Sequence, residues 1–190
     1  MVVAKNDFAH EALAAQFKEK STLRIYHAVC LGVPTQASGT IQSYLSRHLV
    51  DRKRNASVLG SDRKIIRKKS LNESQSPGKW AVTHFKTLQK LAVGVSYLEL
   101  RLETGRTHQI RVHLSELRLP IVSDKIYGSE KKLKNIKSSA INGLLQKMPR
   151  LALHAMELGF VHPRTNEKMM FKVDWPELEK SIINKLGLSE

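Results

Sequence analysis

Leu102-Glu103-Thr104-Gly105-Arg106-Thr107-His108-Gln109-Ile110-Arg111-Val112-His113-Leu114 is the stretch on which the reading of this chain turns. A strand ends, a glycine turns the chain, and two arginines and two histidines follow within nine residues. On the helix predicted over 107–117, Ile110, Leu114 and Leu117 share one face, while Arg106 and Arg111, five apart, point to different sides. One arginine is then free to meet a phosphate while the other faces inward. The plain alternative is a helix start with ordinary surface arginines. His108 and His113 are also five apart, which is wrong for the one-turn pair that ligates a metal, so a zinc site is rejected.

Working outward, 94–103 alternates as a strand and pairs through a hairpin at 91–93 with a second strand over 80–90. Leu23–Leu31 is apolar on both faces and reads as a covered strand. Gly39–Leu45 is a further strand, Leu71–Gly78 a polar turn, and Met1–Lys5 a short β-like run. Asp7 is the expected cap of a helix to about Lys20, with Ala9, Leu13 and Phe17 as its buried stripe. Late strands are expected over 151–160 and 168–173, helical character near 141–148, and a closing helix over 176–186. The pattern is that of a single α+β domain with a mixed, mostly antiparallel sheet and flanking helices.

The net charge of +15 is unevenly spread. Residues 47–69 hold nine basic and two acidic side chains, residues 129–150 six and one, so these segments carry +7 and +5 while 151–190 comes to −1. Such patches attract a polyanion through counterion release. Solvated lysine loops that aid solubility are the plainer reading. The single cysteine, Cys30, excludes an intramolecular disulfide framework. No apolar run is long enough to span a membrane, and the first residues lack a secretory pattern, which favours the cytoplasm. No helix-turn-helix or zinc-finger spacing supports a DNA-binding protein.

The TGRTHQIRVH run, followed by Pro120-Ile121-Val122-Ser123-Asp124-Lys125-Ile126-Tyr127-Gly128, closely resembles the signature of the RluA/RluD-type RNA pseudouridine synthases. Val2-Val3-Ala4-Lys5-Asn6 with Ala9-His10, Arg24-Ile25-Tyr26-His27-Ala28-Val29, Ala81-Val82-Thr83-His84-Phe85, and Leu153-His154-Ala155 with Phe160-Val161-His162-Pro163 are similar to further blocks of that family, in order. Two departures stand in the Asp124 element: Leu119 where the family has histidine, and Ser123 where it has glycine.

The resemblance implies the family's fold and its reaction on ribosomal or transfer RNA, with no metal or organic cofactor. It implies catalytic roles for Tyr26, against the flipped base, and for Arg111, which would pair with the nucleophilic aspartate. Arg106, His108, Gln109 and Leu153 become substrate-binding candidates: Arg106 toward phosphate, Leu153 as an apolar wall, His108 and His113 as backbone-bonding shapers of the site. Asp124 reads as a structural turn residue. The family's H-R-L-D aspartate run would precede Met1, and none of Asp7, Asp51, Asp62, Asp124 or Asp174 has its surroundings. The chain therefore reads as a catalytic-domain part without that motif or an S4-like domain, whether a fragment, a mis-called start, half of a split gene or a degenerate paralogue. It is expected to bind RNA without isomerising uridine, unless the missing segment acts in trans. Arg111 is then expected to be a buried charge without a carboxylate. A non-catalytic RNA-binding module, for example in ribosome assembly, is the alternative.

Overall fold

Residues 2–69 and 78–188 are described by a computed structural model. Helix α1 (Asp7–Glu19) is capped by Asn6, not Asp7: the Asn6 backbone is extended and its side chain accepts the Ala9 N–H at 2.9 Å. Of the expected stripe only Leu13 is fully buried. The run before the helix joins no strand, and Val3 is largely exposed. The 71–78 turn lies outside the described residues apart from Gly78.

The strands are β1 (Leu23–Leu31), β2 (Ser38–Arg47), β3 (Asn55–Ser57), β4 (Lys79–Leu91), β5 (Val95–Leu102), β6 (Leu153–Val161) and β7 (Lys168–Lys172). They form one sheet in the order β3-β2-β4-β5-β1-β6-β7, with every pairing antiparallel. Helices α2 (Gln109–Glu116), α3 (Ser129–Leu133), α4 (Ser139–Gln146) and α5 (Glu177–Lys185) complete an α+β fold. β1 is internal to the sheet, and Ala28 through Leu31 are buried because both sheet faces are covered there. Strand β3, set in the basic stretch, has no alternating apolar signature and was not expected.

Register fixes what shares a face. Tyr26 pairs with Leu100, Leu100 with Phe85, and two residues along Leu102 pairs with Thr83, so Tyr26 and Thr83 point to one side of the sheet. Helix α2 lies on that side, because His113 bonds Thr83. His27 and Tyr97 point to the other side, where the Trp175 indole N–H donates to the Tyr97 hydroxyl at 2.8 Å. The chain after α2 returns against the end of β1, with Leu31 N–H donating to Pro120 O and Val122 N–H to Val29 O. Among the described residues no helix is long and apolar enough to cross a membrane.

Candidate active site

Helix α2 is pinned to the sheet by a buried polar chain whose direction can be deduced. Ser57 Oγ donates to Glu116 Oε2 at 2.8 Å, which spends its only proton. The 2.6 Å bond to Ser43 Oγ must then be donated by Ser43, so Ser43 accepts from His113 Nε2 at 3.1 Å. A neutral His113 consequently accepts at Nδ1 from Thr83 Oγ1 at 2.9 Å, and Thr83 accepts from the Gln109 amide at 3.0 Å. Burial, reinforced by the Arg67 charge, lowers the His113 pKa to about 4. The histidine thus bonds side chains of β2 and β4, not backbone as expected.

Gln109 is only 2% exposed and spends its whole amide on the chain itself. Its Nε2 donates to Val82 O and Thr83 Oγ1, and its Oε1 accepts from Thr104 Oγ1 at 2.8 Å and Arg106 N–H at 3.0 Å. It braces the Thr104–Arg106 turn against β4 and has no open face for a substrate, a correction to its expected role.

Arg111 leaves the same helix toward the loop that follows it. Its Nε and Nη2 each donate to an oxygen of the Asp124 carboxylate at 2.8 Å. Asp124 is fully buried and also accepts the Ile126 and Tyr127 N–H groups, both at 3.0 Å. Burial opposes ionisation, but these donors, Arg111 foremost, hold the carboxyl below its ordinary value; the Asp124 bonds in turn raise the Arg111 pKa. The expectation of an unpaired Arg111 is thus overturned, and Asp124 has the structural role read for it. The pair uses two of the five guanidinium N–H groups, leaving the others for a further anion.

The ring of Tyr127 lies under both Arg111, at 4.8 Å from guanidinium carbon to centroid, and Arg54, at 5.2 Å. Its hydroxyl accepts the Asn55 N–H at 2.9 Å and lies 3.1 Å from His108 Nδ1. His108 holds this position in a left-handed conformation, φ 58°, which starts α2 two residues later than expected. Burial, then the Arg111 charge, lowers its pKa and favours the neutral ring. Ser123 likewise takes φ 62°, the region a glycine enters without strain.

Tyr26 is half-buried on the α2 side of β1. Opposite it on β6 is Ala155, which is exposed although its strand is internal to the sheet, so this part of the face is open. Leu153 shares the face, two residues along. A register shift falls between Ile25 and Tyr26, the kind of irregularity that re-aims a side chain. Arg24, two residues before Tyr26, is buried and donates to the carbonyls of Leu102 and Glu103, at 3.4 and 2.9 Å. It ties the tyrosine strand to the turn that launches α2. A Cβ at Gly105 would come 2.9 Å from Arg24 Nη1, a contact that a small shift of the guanidinium end relieves. Arg106, at the outer edge of this turn, is exposed and donates from Nε to Trp80 O at 3.1 Å.

The arrangement of these motifs matches known proteins. The family model described as RNA pseudouridylate synthase covers residues 1–116. The chain belongs to that family. It is 37% identical to ribosomal large subunit pseudouridine synthase D of Pseudomonas aeruginosa, over 93% of this chain and 49% of that protein. Identity to the synthase D of Zymomonas mobilis is also 37%, over 100% of this chain and 53% of that protein. The chain thus spans about half the length of these relatives. Among solved structures, human RNA pseudouridylate synthase domain containing 1 aligns with a TM-score of 0.64 and 27% identity over 92% of this chain and 63% of that one. Human RNA pseudouridylate synthase domain containing 4 aligns at 0.71 over 100% and 72%, and at 24% identity shows the fold.

In this member of the family the sheet register and α2 bring Tyr26, Leu153 and the Arg111 helix to one side. Sequence reasoning missed the bracing by Arg24 and the Tyr127 ring under Arg111. The signal for Arg24 was available: a cation two residues before the tyrosine in a largely apolar strand.

Proposed function

We propose that this chain is part of a pseudouridine synthase catalytic domain acting on ribosomal or transfer RNA in the cytoplasm, without metal or organic cofactor. In that reaction the N1–C1′ bond of uridine breaks, the base turns, a C5–C1′ bond forms, and C5 gives up its proton while N1 gains one. Extruding the base costs a few kcal/mol that contacts to the RNA must offset. Tyr26 is the catalytic tyrosine: its ring stacks on uracil and its hydroxyl serves the proton that leaves C5. Leu153 forms an apolar wall, Arg106 meets a phosphate, and His108 orders the Tyr127–Arg111 corner. The observation that carries this reading is the open patch at Tyr26 and Ala155, on the face that α2 covers next door.

No aspartate of residues 1–190 has the H-R-L-D setting. Turnover therefore requires a carboxylate brought to the Tyr26 face by another segment, in the same polypeptide or in trans. Arg111 keeps N–H groups for it beside the Asp124 bond. Residues 1–190 alone bind structured RNA and do not isomerise uridine. The test is tritium release from ribosomal and transfer RNA labelled at uridine C5. Release is expected only when an H-R-L-D-bearing segment is supplied; turnover by residues 1–190 alone overturns the requirement. The Asp124 bond also favours a second reading, a non-catalytic RNA-binding module, because Arg111 is already neutralised without any catalytic carboxylate. Retained RNA binding with no release in the presence of the segment supports that module.

A further inference from the structure

Two adjoining clefts lie where the Thr104–Thr107 turn meets the ends of β2 and β4. One, of about 430 Å³, is lined by Arg47, Asn55, Lys79 and Arg106, with Leu45, Ser46 and the turn backbone. The other, of about 400 Å³, is lined by Lys18, Lys20, Lys69, Lys79, Tyr44 and Trp80. They share Gly78, Lys79 and Arg106 as a common wall, and among the described residues no carboxylate lines either. Each is large enough to hold a small polar ligand. Of the six cations, Lys20 is 3.5 Å from Glu103 Oε2, and Arg106 is aimed by its bond to Trp80 O.

Three features narrow the occupant. Six cations clustered about two joined clefts select a polyanion. Two concavities joined across Lys79 and Arg106 suit successive phosphates on one flexible strand, where a stiff duplex would ride over the rims. Trp80, held edge-to-face by Tyr44 at 4.8 Å, puts an indole ring in the second cleft, on which a base of any identity can stack. A lipid headgroup or an acidic peptide has no use for that ring.

We infer that these clefts form a single-strand RNA trench, with successive phosphates on Arg47, Lys79 and Arg106 and one base stacked on Trp80. Its position follows from the same geometry. Asn55 lines the trench, donates to Thr107 O at 2.7 Å, and exchanges hydrogen bonds with the Tyr127 hydroxyl under Arg111. The trench therefore holds the nucleotides flanking an extruded uridine, not the uridine itself. This inference rests on the synthase reading for its choice of RNA.

The experiment uses residues 1–190, a labelled unstructured RNA of about a dozen nucleotides, and a duplex of equal length, titrated by fluorescence anisotropy at several salt concentrations. The double variant Arg47→Ala/Lys79→Ala is expected to weaken single-strand binding about tenfold and to flatten the log–log salt slope by about 1.4, two phosphates' worth. Lys131→Ala/Lys134→Ala, in the other basic segment, should leave binding within about twofold. Tryptophan emission should fall on binding the single strand, and Trp80→Phe should remove that fall. If the wild-type chain binds no RNA, the synthase reading falls together with the trench. If it binds RNA but the two double variants behave alike, or the duplex is preferred with no Trp80-dependent quenching, the trench alone is overturned.

Discussion

Arg111 and Asp124 grip each other at two points, Nε to Oδ2 and Nη2 to Oδ1, both 2.8 Å, with the carboxylate wholly buried. The bond joins the helix that follows the TGR turn to the loop that carries Tyr127, so it sets the attitude of the arginine whatever else approaches it. Asp124 also satisfies two backbone amides, which makes it a hub of the loop.

Asp124→Asn should therefore cost about 3 kcal/mol in urea denaturation at pH 7, because it leaves a largely buried guanidinium without its counter-charge. The pH dependence has a definite sign. The folded-state pKa of Asp124 is depressed, so its contribution is full above the ordinary value of 3.8 and is lost as pH falls through the folded value. The gap between wild type and variant should close in acid. A variant as stable as wild type at pH 7 would show that the pair contributes nothing.

His113 gives a second pH effect at milder acidity. Its pKa falls from 6.5 to about 4 on folding, so the unfolded chain binds the extra proton between these values. Stability must then rise with pH across that window, by about 3 kcal/mol in all. Melting temperatures from pH 7 to pH 4 should drop steeply in the wild type and less steeply in His113→Gln, which starts lower but has no ring to protonate. Equal slopes in the two proteins would remove His113 as the cause.

Tyr26→Phe should separate structure from chemistry. Among the described residues the Tyr26 hydroxyl makes no hydrogen bond, while its ring packs at the edge of the main core. Loss of the hydroxyl should change stability by less than about 0.5 kcal/mol. RNA binding should persist, and tritium release, measured with the H-R-L-D segment supplied, should disappear. Full release by the variant would strike Tyr26 from the catalytic set.

The sequence showed some parts of this fold clearly. The limits of β1 were readable because an apolar run stops at Gly32 and Pro34, and the β4–β5 hairpin because the strand patterns break at Leu91–Val93, though β5 begins at Val95 and not at Gly94. β3 was illegible: three residues among arginines and lysines carry no period, and they form a strand only because the edge of β2 is there to pair with. The partner of Arg111 was hidden for a different reason. It lies thirteen residues away on a loop, joined by a turn whose shape depends on positive φ at Ser123, which no hydrophobic pattern encodes. Gln109 looked available because a polar residue in a motif suggests a ligand contact; its burial follows from the tight approach of the turn to β4.

That burial supports a last prediction, Gln109→Ala. The wild-type amide satisfies Val82 O, Thr83 Oγ1, Thr104 Oγ1 and the Arg106 N–H together. Truncation strands several buried polar groups at once, at about 1–3 kcal/mol each where water cannot replace the lost partner. A total cost above about 3 kcal/mol is expected, well beyond a typical surface change. Because the Arg106 amide is one of the stranded groups, the turn should loosen, and RNA affinity should fall although Gln109 touches no ligand. Gln109→Glu discriminates: a carboxylate can still accept from Thr104 and Arg106 but cannot donate to Val82 O, so it should recover part of the loss. If Gln109→Ala unfolds at the wild-type urea midpoint yet abolishes RNA binding, the side chain contacts substrate directly, and the bracing role assigned to it is wrong.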